Sequence, residues 1–191
     1  MKIVQRFLTA VLMMSAVTAC AKIDPTSEPV REMGQFKLGH NVVVAENAQP
    51  GPLTRSTNAE ELEKALTTAM DERLGQYDGD RLIHIGIAVD GYVLALPGVP
   101  LVLSPKSVLA LTVNVWDNET QEKLNAEPRR FAVFERGAAE TVVGSGLTQN
   151  KAAQLENLSR NAALKIQNWI LENPEWIGLN VEDSSAEDAA Q

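Results

Sequence analysis

The chain has 191 residues, and its 25 acidic side chains outnumber the 17 Lys and Arg side chains, which gives a net charge of −8 at pH 7. Such a charge repels the phosphate backbone of nucleic acids, so we expect no nucleic-acid partner. The length suffices for one domain, and the single cysteine excludes a disulfide within the chain.

The first 19 residues have the organisation of an export signal. Lys2 and Arg6 form a basic start, and residues 7–17 are apolar apart from two hydroxyl side chains. An apolar run of this length is too short to cross a bilayer, which takes roughly 20 residues of helix. We therefore predict that residues 1–19 are a signal peptide and not a transmembrane helix.

Residues 17–20, Val-Thr-Ala-Cys, resemble the lipobox of bacterial lipoproteins. The resemblance implies that Cys20 receives a lipid and that the chain is cut before it. Lipoproteins of this kind usually carry three acyl chains, palmitate among them, and several chains anchor a protein stably where one does not. Ala21 follows the cysteine, and by the sorting rule of enteric bacteria a residue other than aspartate favours the outer membrane. The resemblance thus predicts a membrane-anchored protein at the outer membrane that faces the periplasm.

Both ends of the remaining chain have the composition of flexible segments. Residues 20–38 contain Pro25 and Pro29 among polar and charged residues, which predicts the lipidated cysteine followed by a flexible tether. Residues 179–191 are acidic and poor in large apolar side chains, which predicts a disordered tail. A single domain is expected over residues 39–178.

The pattern of apolar residues predicts the elements of this domain. The β-branched run Val42–Ala45 is expected to form the first strand, and the Pro and Gly residues of 47–55 a loop. Apolar residues at helical spacing run from Leu62 to Leu74, and Gly75 ends this helix. Alternating and amphipathic patterns then predict three strands, at residues 81–89, 108–116 and 130–136, and a long helix at residues 151–172.

The order β-α-β-β-β-α predicts an α+β fold with an antiparallel sheet of about four strands. Each strand has one bulky apolar face and each helix one apolar stripe, so the simplest burial packs both helices on one face of the sheet. Together with the tether and the run Gly144–Thr148 before the last helix, this pattern resembles small α+β envelope lipoproteins of unknown function from alphaproteobacteria. It also resembles, more distantly, the lipopolysaccharide-assembly lipoprotein and the auxiliary lipoproteins of lipid transporters.

The segment Tyr92–Leu103 is a candidate contact surface because it contains no charged residue. Connecting loops are usually polar, so an apolar one suggests a lip that binds a partner, an acyl chain or the bilayer. In two alternatives, the segment folds over an end of the sheet as part of the core, or residues 92–96 extend the preceding strand. The predicted contact residues are Tyr92, Leu94, Leu96, Val99, Leu101 and Leu103.

The face of the sheet that points away from the helices is a second candidate. Another strand or helix can pack on its small residues, or water covers them as on an ordinary antiparallel sheet. His84 lies on this face and is expected to be a surface residue. The small or polar residues predicted there are Gly86, Ala88, Ala110, Thr112 and Asn114.

The sequence predicts no catalytic residue, metal site or cofactor. His40 and His84 lack a neighbouring carboxylate motif, the G-x-S-x-G sequence of a nucleophile elbow is absent, and Gly144 and Gly146 lack the rest of a phosphate-binding loop. We therefore expect a non-enzymatic accessory or assembly factor that contacts an envelope protein. The alternative is a binding module for a lipid or another apolar ligand, linked to envelope lipid transport.

Overall fold

The computed structural model describes residues 31–96, 107–135 and 150–179. The predicted α+β class and the order β-α-β-β-β-α are confirmed, with one short strand added in the segment predicted as a loop. The compact unit of the domain begins at Glu32. Its elements are β1 (Phe36–Val44), β2 (Gln49–Pro50), α1 (Ala59–Leu74), β3 (Arg81–Val93), β4 (Val108–Asp117), β5 (Arg129–Phe134), α2 (Lys151–Leu171) and a 3₁₀ turn (Pro174–Ile177).

The sheet is mixed and not wholly antiparallel. Its long strands lie in the order β1-β3-β4-β5, and β2 pairs with the end of β3. β4 is antiparallel to both of its neighbours, as predicted, whereas β1 runs parallel to β3. The prediction of antiparallel pairing is wrong for β1 because α1 joins these two strands. The 16 residues of α1 carry the chain back by about 24 Å, so β3 starts at the end of the sheet where β1 started.

The alternation predicted for the central strands is confirmed. Every second residue of β3 and β4 is buried, and the residues between them point to the other face. Both helices bury their apolar stripes in the same core, and Trp176 and Ile177 fold back onto it. Burial of one large aliphatic side chain contributes about 1.5–3 kcal/mol, so these rows hold the domain together. The buried rows include Ile83, Ile85, Ile87, Leu109, Leu111, Val113 and Val115 from the strands, and Leu66, Met70, Leu158 and Ile166 from the helices.

The folded domain begins before residue 39. Met33 and Phe36 are buried, and β1 starts at Phe36. The backbone N–H of Gln35 donates to the carbonyl of Ile177 at 2.8 Å, which ties this segment to the 3₁₀ turn. The predicted boundary of the tether at residue 38 is therefore too late. Two isolated apolar side chains among polar neighbours carry no local pattern, and only tertiary packing shows that they are buried.

Asparagine side chains cap both helices. Asn58 Oδ1 accepts the backbone N–H of Glu61 at 2.8 Å, and Asn150 Oδ1 accepts that of Ala153 at 2.8 Å. Such caps satisfy N–H groups that have no partner in the first turn of a helix. Within the described ranges, neither helix combines the length and the apolar composition that a membrane span needs.

Helix α2 protects the outer edge of the sheet at β5. Asn161 Nδ2 donates to the carbonyl of Phe134 at 3.0 Å, and Lys165 Nζ donates to the carbonyl of Ala132 at 2.8 Å. An edge strand with free carbonyls attracts further strands, and these two side chains occupy the acceptors. The side chains of β5 that point away from the helices are therefore its exposed surface, whereas its backbone edge is occupied by α2.

Candidate functional site

Among the described residues, no helix or further strand layer covers one face of the sheet, which we call the open face. Three large apolar side chains on it are about half exposed, namely Val42 at 54%, Val44 at 46% and Phe134 at 52%. Register places Val42 beside Gly86 and Val44 beside Ala88, so the residues of neighbouring strands form continuous rows. The open face consists of His40, Val42 and Val44 of β1, His84, Gly86, Ala88, Asp90, Gly91 and Val93 of β3, Val108, Ala110, Thr112, Asn114 and Trp116 of β4, and Arg130, Ala132 and Phe134 of β5.

The middle of the open face is built from small, uncharged side chains. Ala88 pairs across the strands with Thr112, and Ala110 pairs with Ala132. The carboxylate of Asp90 accepts a hydrogen bond from the Thr112 hydroxyl at 2.7 Å, so this charge is held within the sheet surface. A sheet face that meets only water is usually polar, whereas this one offers a shallow apolar floor between larger side chains at both margins. Its shape and composition suit the packing of another protein layer.

One end of the open face is occupied by two histidines that contact each other. The backbone N–H of His40 donates to His84 Nδ1 at 2.8 Å, and His84 Nε2 lies 3.0 Å from Asn118 Oδ1. The two rings stack with centroids 4.8 Å apart. Since Nδ1 accepts, the proton of the imidazole is on Nε2, where it donates to Asn118. A methyl group at Gly39 would lie 2.3 Å from His84 Nδ1, so only glycine permits this contact.

Trp116 covers the surface of the sheet beside this pair. A Cβ added at Gly86 would lie 2.8 Å from the indole ring, which shows that the ring lies over the glycine. The ammonium of Lys123 stands 5.6 Å from the ring centroid, within the range of a cation–π contact. Trp116 is absent from the residues predicted for this face, although its even position in β4 continues the series of Ala110, Thr112 and Asn114. The predicted residues of this face also leave out Val42, Val44 and Phe134.

The structure places the predicted apolar lip in two different environments. Tyr92 and Leu94 are buried in the core, and β3 continues through Val93. The alternative in which the segment extends the preceding strand therefore holds for residues 92 and 93, and the buried side chains of Tyr92 and Leu94 offer no exposed contact. Leu96 is partly exposed. Val99, Leu101 and Leu103 lie outside the described residues, so their contact role stays a prediction, and the lipidation site Cys20 also lies outside.

The described residues on either side of that segment meet at one corner of the sheet. The backbone N–H of Ala95 donates to Ser107 Oγ at 3.2 Å, and Gln154 Nε2 donates to the carbonyl of Ala95 at 3.1 Å. Leu94 donates its N–H to Thr54 Oγ1 at 2.7 Å. Burial raises the pKa of the neighbouring Glu135 carboxyl, and a hydrogen bond with Ser107 opposes this shift. Hydrogen bonds therefore hold Ala95 and Ser107 together at this corner.

A groove of about 310 Å³ lies between the two helices. Its apolar lining consists of Ala65, Ala69, Ala152 and Leu155. Ion pairs cross it, with Lys151 Nζ 2.5 Å from Glu61 Oε2 and Arg160 Nη2 3.8 Å from Glu72 Oε2. Charged pairs therefore bridge the two helices above short apolar side chains. In the part of the chain that the structure describes, no three His, Cys, Asp or Glu side chains are grouped to hold a metal ion.

Comparisons with known proteins give structural neighbours but no family. No family model matches the chain, and no curated protein matches it. A protein of the DUF330 family from Xanthomonas campestris is similar over 80% of this chain and 91% of its own, with 16% identity and a TM-score of 0.44. A candidate lipoprotein from Caulobacter crescentus is similar over 71% and 93%, with 12% identity and a TM-score of 0.35. PelC from Paraburkholderia phytofirmans, solved as a dodecamer, is similar over 71% and 93%, with 14% identity and a TM-score of 0.32. At these scores the likeness carries no argument about function.

Proposed function

We propose that this protein is a lipid-anchored component of the bacterial cell envelope that has no catalytic activity and works as an accessory or assembly factor through protein contacts. The observation that carries the proposal is the open face, where three half-exposed apolar side chains border a floor of small residues. A partner strand or helix that packs there removes apolar surface from water, which stabilises a complex by about 25 cal/mol per Å² before the entropic cost of association. The lipobox-like residues before Cys20 support the anchor.

The open face is tested by placing a charge in it. We expect Val44→Asp to abolish crosslinking of a photoreactive residue at Ala132 to an envelope partner, because a carboxylate on the apolar floor loses its hydration when the partner packs. Val44 is about half exposed, so the free energy of unfolding should fall by only about 1 kcal/mol, because aspartate is a poorer strand former than valine. The measurement is in vivo crosslinking from Ala132, with urea denaturation of the purified domain.

The matched control is Thr68→Asp, which also adds one negative charge, in the groove between the helices. Its crosslinks should equal those of the natural chain. If Val44→Asp crosslinks as the natural chain does, or if the control loses crosslinking to the same extent, the open face is not the surface that binds the partner.

The anchor is tested separately through the cysteine. We expect Cys20→Ser to leave the domain folded and to move the protein from the membrane fraction to the soluble fraction, because stable attachment depends on acyl chains. Membrane fractionation with metabolic labelling by palmitate measures this. A variant that stays in the membrane fraction would contradict lipid anchoring, and outer and inner membranes separated by density would locate the natural protein.

The alternative, a binding module for a lipid or another apolar ligand, stays a prediction. The described feature that comes nearest to it is the groove between α1 and α2, whose apolar lining is mostly alanine. The open face offers larger exposed apolar side chains, which is why we favour protein contacts.

A further inference from the structure

A second concave site lies away from the open face, between β5, the end of α2 and the 3₁₀ turn. It is a cleft of about 450 Å³, which we call the indole cleft. Two tryptophans line it, Trp169 of α2 and Trp176 of the turn, together with Glu127, Arg129 and Glu175. This volume lies within the range of about 300–1,000 Å³ that is typical of small-molecule sites. The cleft plays no part in the function proposed above.

The two tryptophans that line this cleft carry indole N–H groups to which no described protein group is hydrogen-bonded. Trp169 is 7% exposed and Trp176 is 8% exposed, and their rings meet edge to face at 5.1 Å. Within the described ranges neither indole N–H donates to a protein group, yet neither nitrogen is among the fully buried atoms that lack a partner. Each indole nitrogen therefore keeps access to solvent. Water can therefore accept from these N–H groups, and a ligand oxygen that replaces this water would keep the hydrogen bond.

Charged groups of both signs surround the indoles. Among the described residues, the carboxylates of Glu127 and Glu175 form no ion pair, and neither does the guanidinium of Arg129, which stands 5.8 Å from the ring centroid of Phe131. The cleft thus offers acceptors at its carboxylates and donors at its guanidinium and indoles. A ligand that bonds to both the acceptors and the donors of the cleft must itself be a small molecule with hydrogen-bond donors and acceptors.

The walls that carry these groups are held by hydrogen bonds of their own. Asn125 Nδ2 donates to the carbonyl of Glu127 at 2.7 Å, and Asn125 Oδ1 accepts the N–H of Val115 at 2.8 Å. Asn173 Nδ2 donates to the carbonyl of Trp169 at 2.7 Å. The amides of both asparagines are used in fixing backbone, so the cleft is formed before any ligand arrives. Such preorganisation reduces the entropic cost of binding.

We propose that the indole cleft binds a saccharide. Sugar hydroxyls donate to carboxylates and accept from indole and guanidinium groups, and the C–H groups of a sugar ring pack against the faces of aromatic rings. A phosphate or a carboxylate ligand would meet Glu127 and Glu175, which repel it, and a purely apolar ligand would leave all these polar groups unpaired. A neutral one- or two-ring sugar meets every requirement of the cleft.

The position of the cleft indicates where its saccharide comes from. The chain enters the domain beside the 3₁₀ turn, since the N–H of Gln35 donates to the carbonyl of Ile177, and this turn carries Trp176. If Cys20 is the anchor proposed above, the 11 residues between it and Glu32 span at most about 40 Å. The cleft then lies within reach of the membrane surface. Both glycolipid headgroups and the glycan strands of the cell wall present the required sugar chemistry there.

Nuclear magnetic resonance tests the proposal with an internal control. The chain has three tryptophans, so a ¹H–¹⁵N spectrum of the labelled domain shows three indole signals. Titration with chitobiose, a neutral disaccharide, is expected to shift the signals of Trp169 and Trp176 with a roughly millimolar dissociation constant. The signal of Trp116, which lies on the open face, should stay in place. The double variant Glu127→Gln, Glu175→Gln should bind about tenfold more weakly because it loses two charged acceptors.

The control for this variant is Glu119→Gln, Glu122→Gln, which removes the same charge from the turn after β4 and should bind normally. If neither indole signal moves up to about 50 mM chitobiose or lactose, the proposal is wrong. It is equally wrong if tetramethylammonium moves both signals where no sugar does, since the cleft then recognises cations. For a domain that binds, cosedimentation with purified peptidoglycan against flotation with lipopolysaccharide vesicles identifies which source supplies the sugar.

Discussion

Replacing Leu94 by aspartate is expected to unfold the domain. Leu94 is fully buried, and its backbone is bonded on both sides, through its N–H to Thr54 and through its carbonyl to the N–H of Arg55. Removal of a buried leucine side chain alone destabilises a protein by about 2–5 kcal/mol, and an ionised carboxylate in the cavity adds a larger penalty. Domains of this size are stable by about 5–15 kcal/mol, so little stability would remain. Circular dichroism of the purified domain measures the effect.

Leu96→Asp is the matched control, because Leu96 lies two residues further along and is partly exposed. It should leave the spectrum and the urea midpoint close to those of the natural chain. The comparison separates a core residue from a contact residue. A Leu94→Asp variant that remains folded and loses only a binding partner would restore Leu94 to the contact surface predicted from the sequence.

Replacing Asp117 by alanine is expected to destabilise the domain by about 2–4 kcal/mol. The side chain of Asp117 is 4% exposed, and its Oδ2 accepts from Arg81 Nε at 2.8 Å, where the arginine is 32% exposed. Its Oδ1 accepts the backbone N–H groups of Glu119 and Thr120 at 2.8 and 3.0 Å. The alanine variant leaves the guanidinium and both N–H groups without this partner. Urea denaturation at neutral pH measures the loss.

The same contacts make this contribution depend on pH. The N–H of Thr120 chiefly, with Arg81 and the N–H of Glu119, holds the pKa of Asp117 below its usual range against the opposing effect of burial. A carboxyl whose pKa is lower in the folded state stabilises the fold fully above its unfolded pKa of about 3.9. That stability disappears as the pH falls from there through the lower folded value. The gap in stability between the natural chain and Asp117→Asn should therefore be constant from pH 7 to about 5 and should narrow at more acidic pH.

Asp78→Asn supplies the comparison for this pH series. Asp78 pairs with Lys37 and its pKa is also lowered, but its side chain is 86% exposed. Water and salt weaken such a surface pair, so its replacement should change stability much less than that of Asp117. A gap for Asp117→Asn that stays unchanged into acid, or that is no larger than the gap for Asp78→Asn, would show that the Asp117 charge does not stabilise the fold.

The open face and the indole cleft use different parts of the same scaffold. The open face comes from the outward side chains of all four long strands, because both helices pack on the other face. The indole cleft comes from the end of α2 and the turn that follows it, where Trp169 and Trp176 meet. Variants in one surface should therefore leave the other intact. This independence allows the protein-contact proposal and the saccharide proposal to fail separately.

Local pattern predicted the elements and the face that each strand buries. Ile83, Ile85 and Ile87 alternate with smaller residues, and this period of two is itself the geometry of a strand with one buried face. The same alternation correctly placed Gly86 and Ala88 on the face away from the helices. The prediction from alternation fails at Tyr92, because a continuous apolar run begins there. A run of that kind fits a buried strand end and an exposed lip equally well.

Taken by itself, the sequence determined the α+β class, the order of the elements and the inward rows of β3 and β4, because short-range periodicity encodes them. The sequence also contains the lipobox-like residues that end at Cys20, and this resemblance is a local motif that can be recognised without knowledge of the fold. Only the tertiary structure decided that β1 runs parallel to β3, that Leu94 lies in the core, and that Val42, Val44 and Phe134 share one exposed surface. Each of these depends on which distant segments come together, and burial is a property of that assembly and not of any single segment.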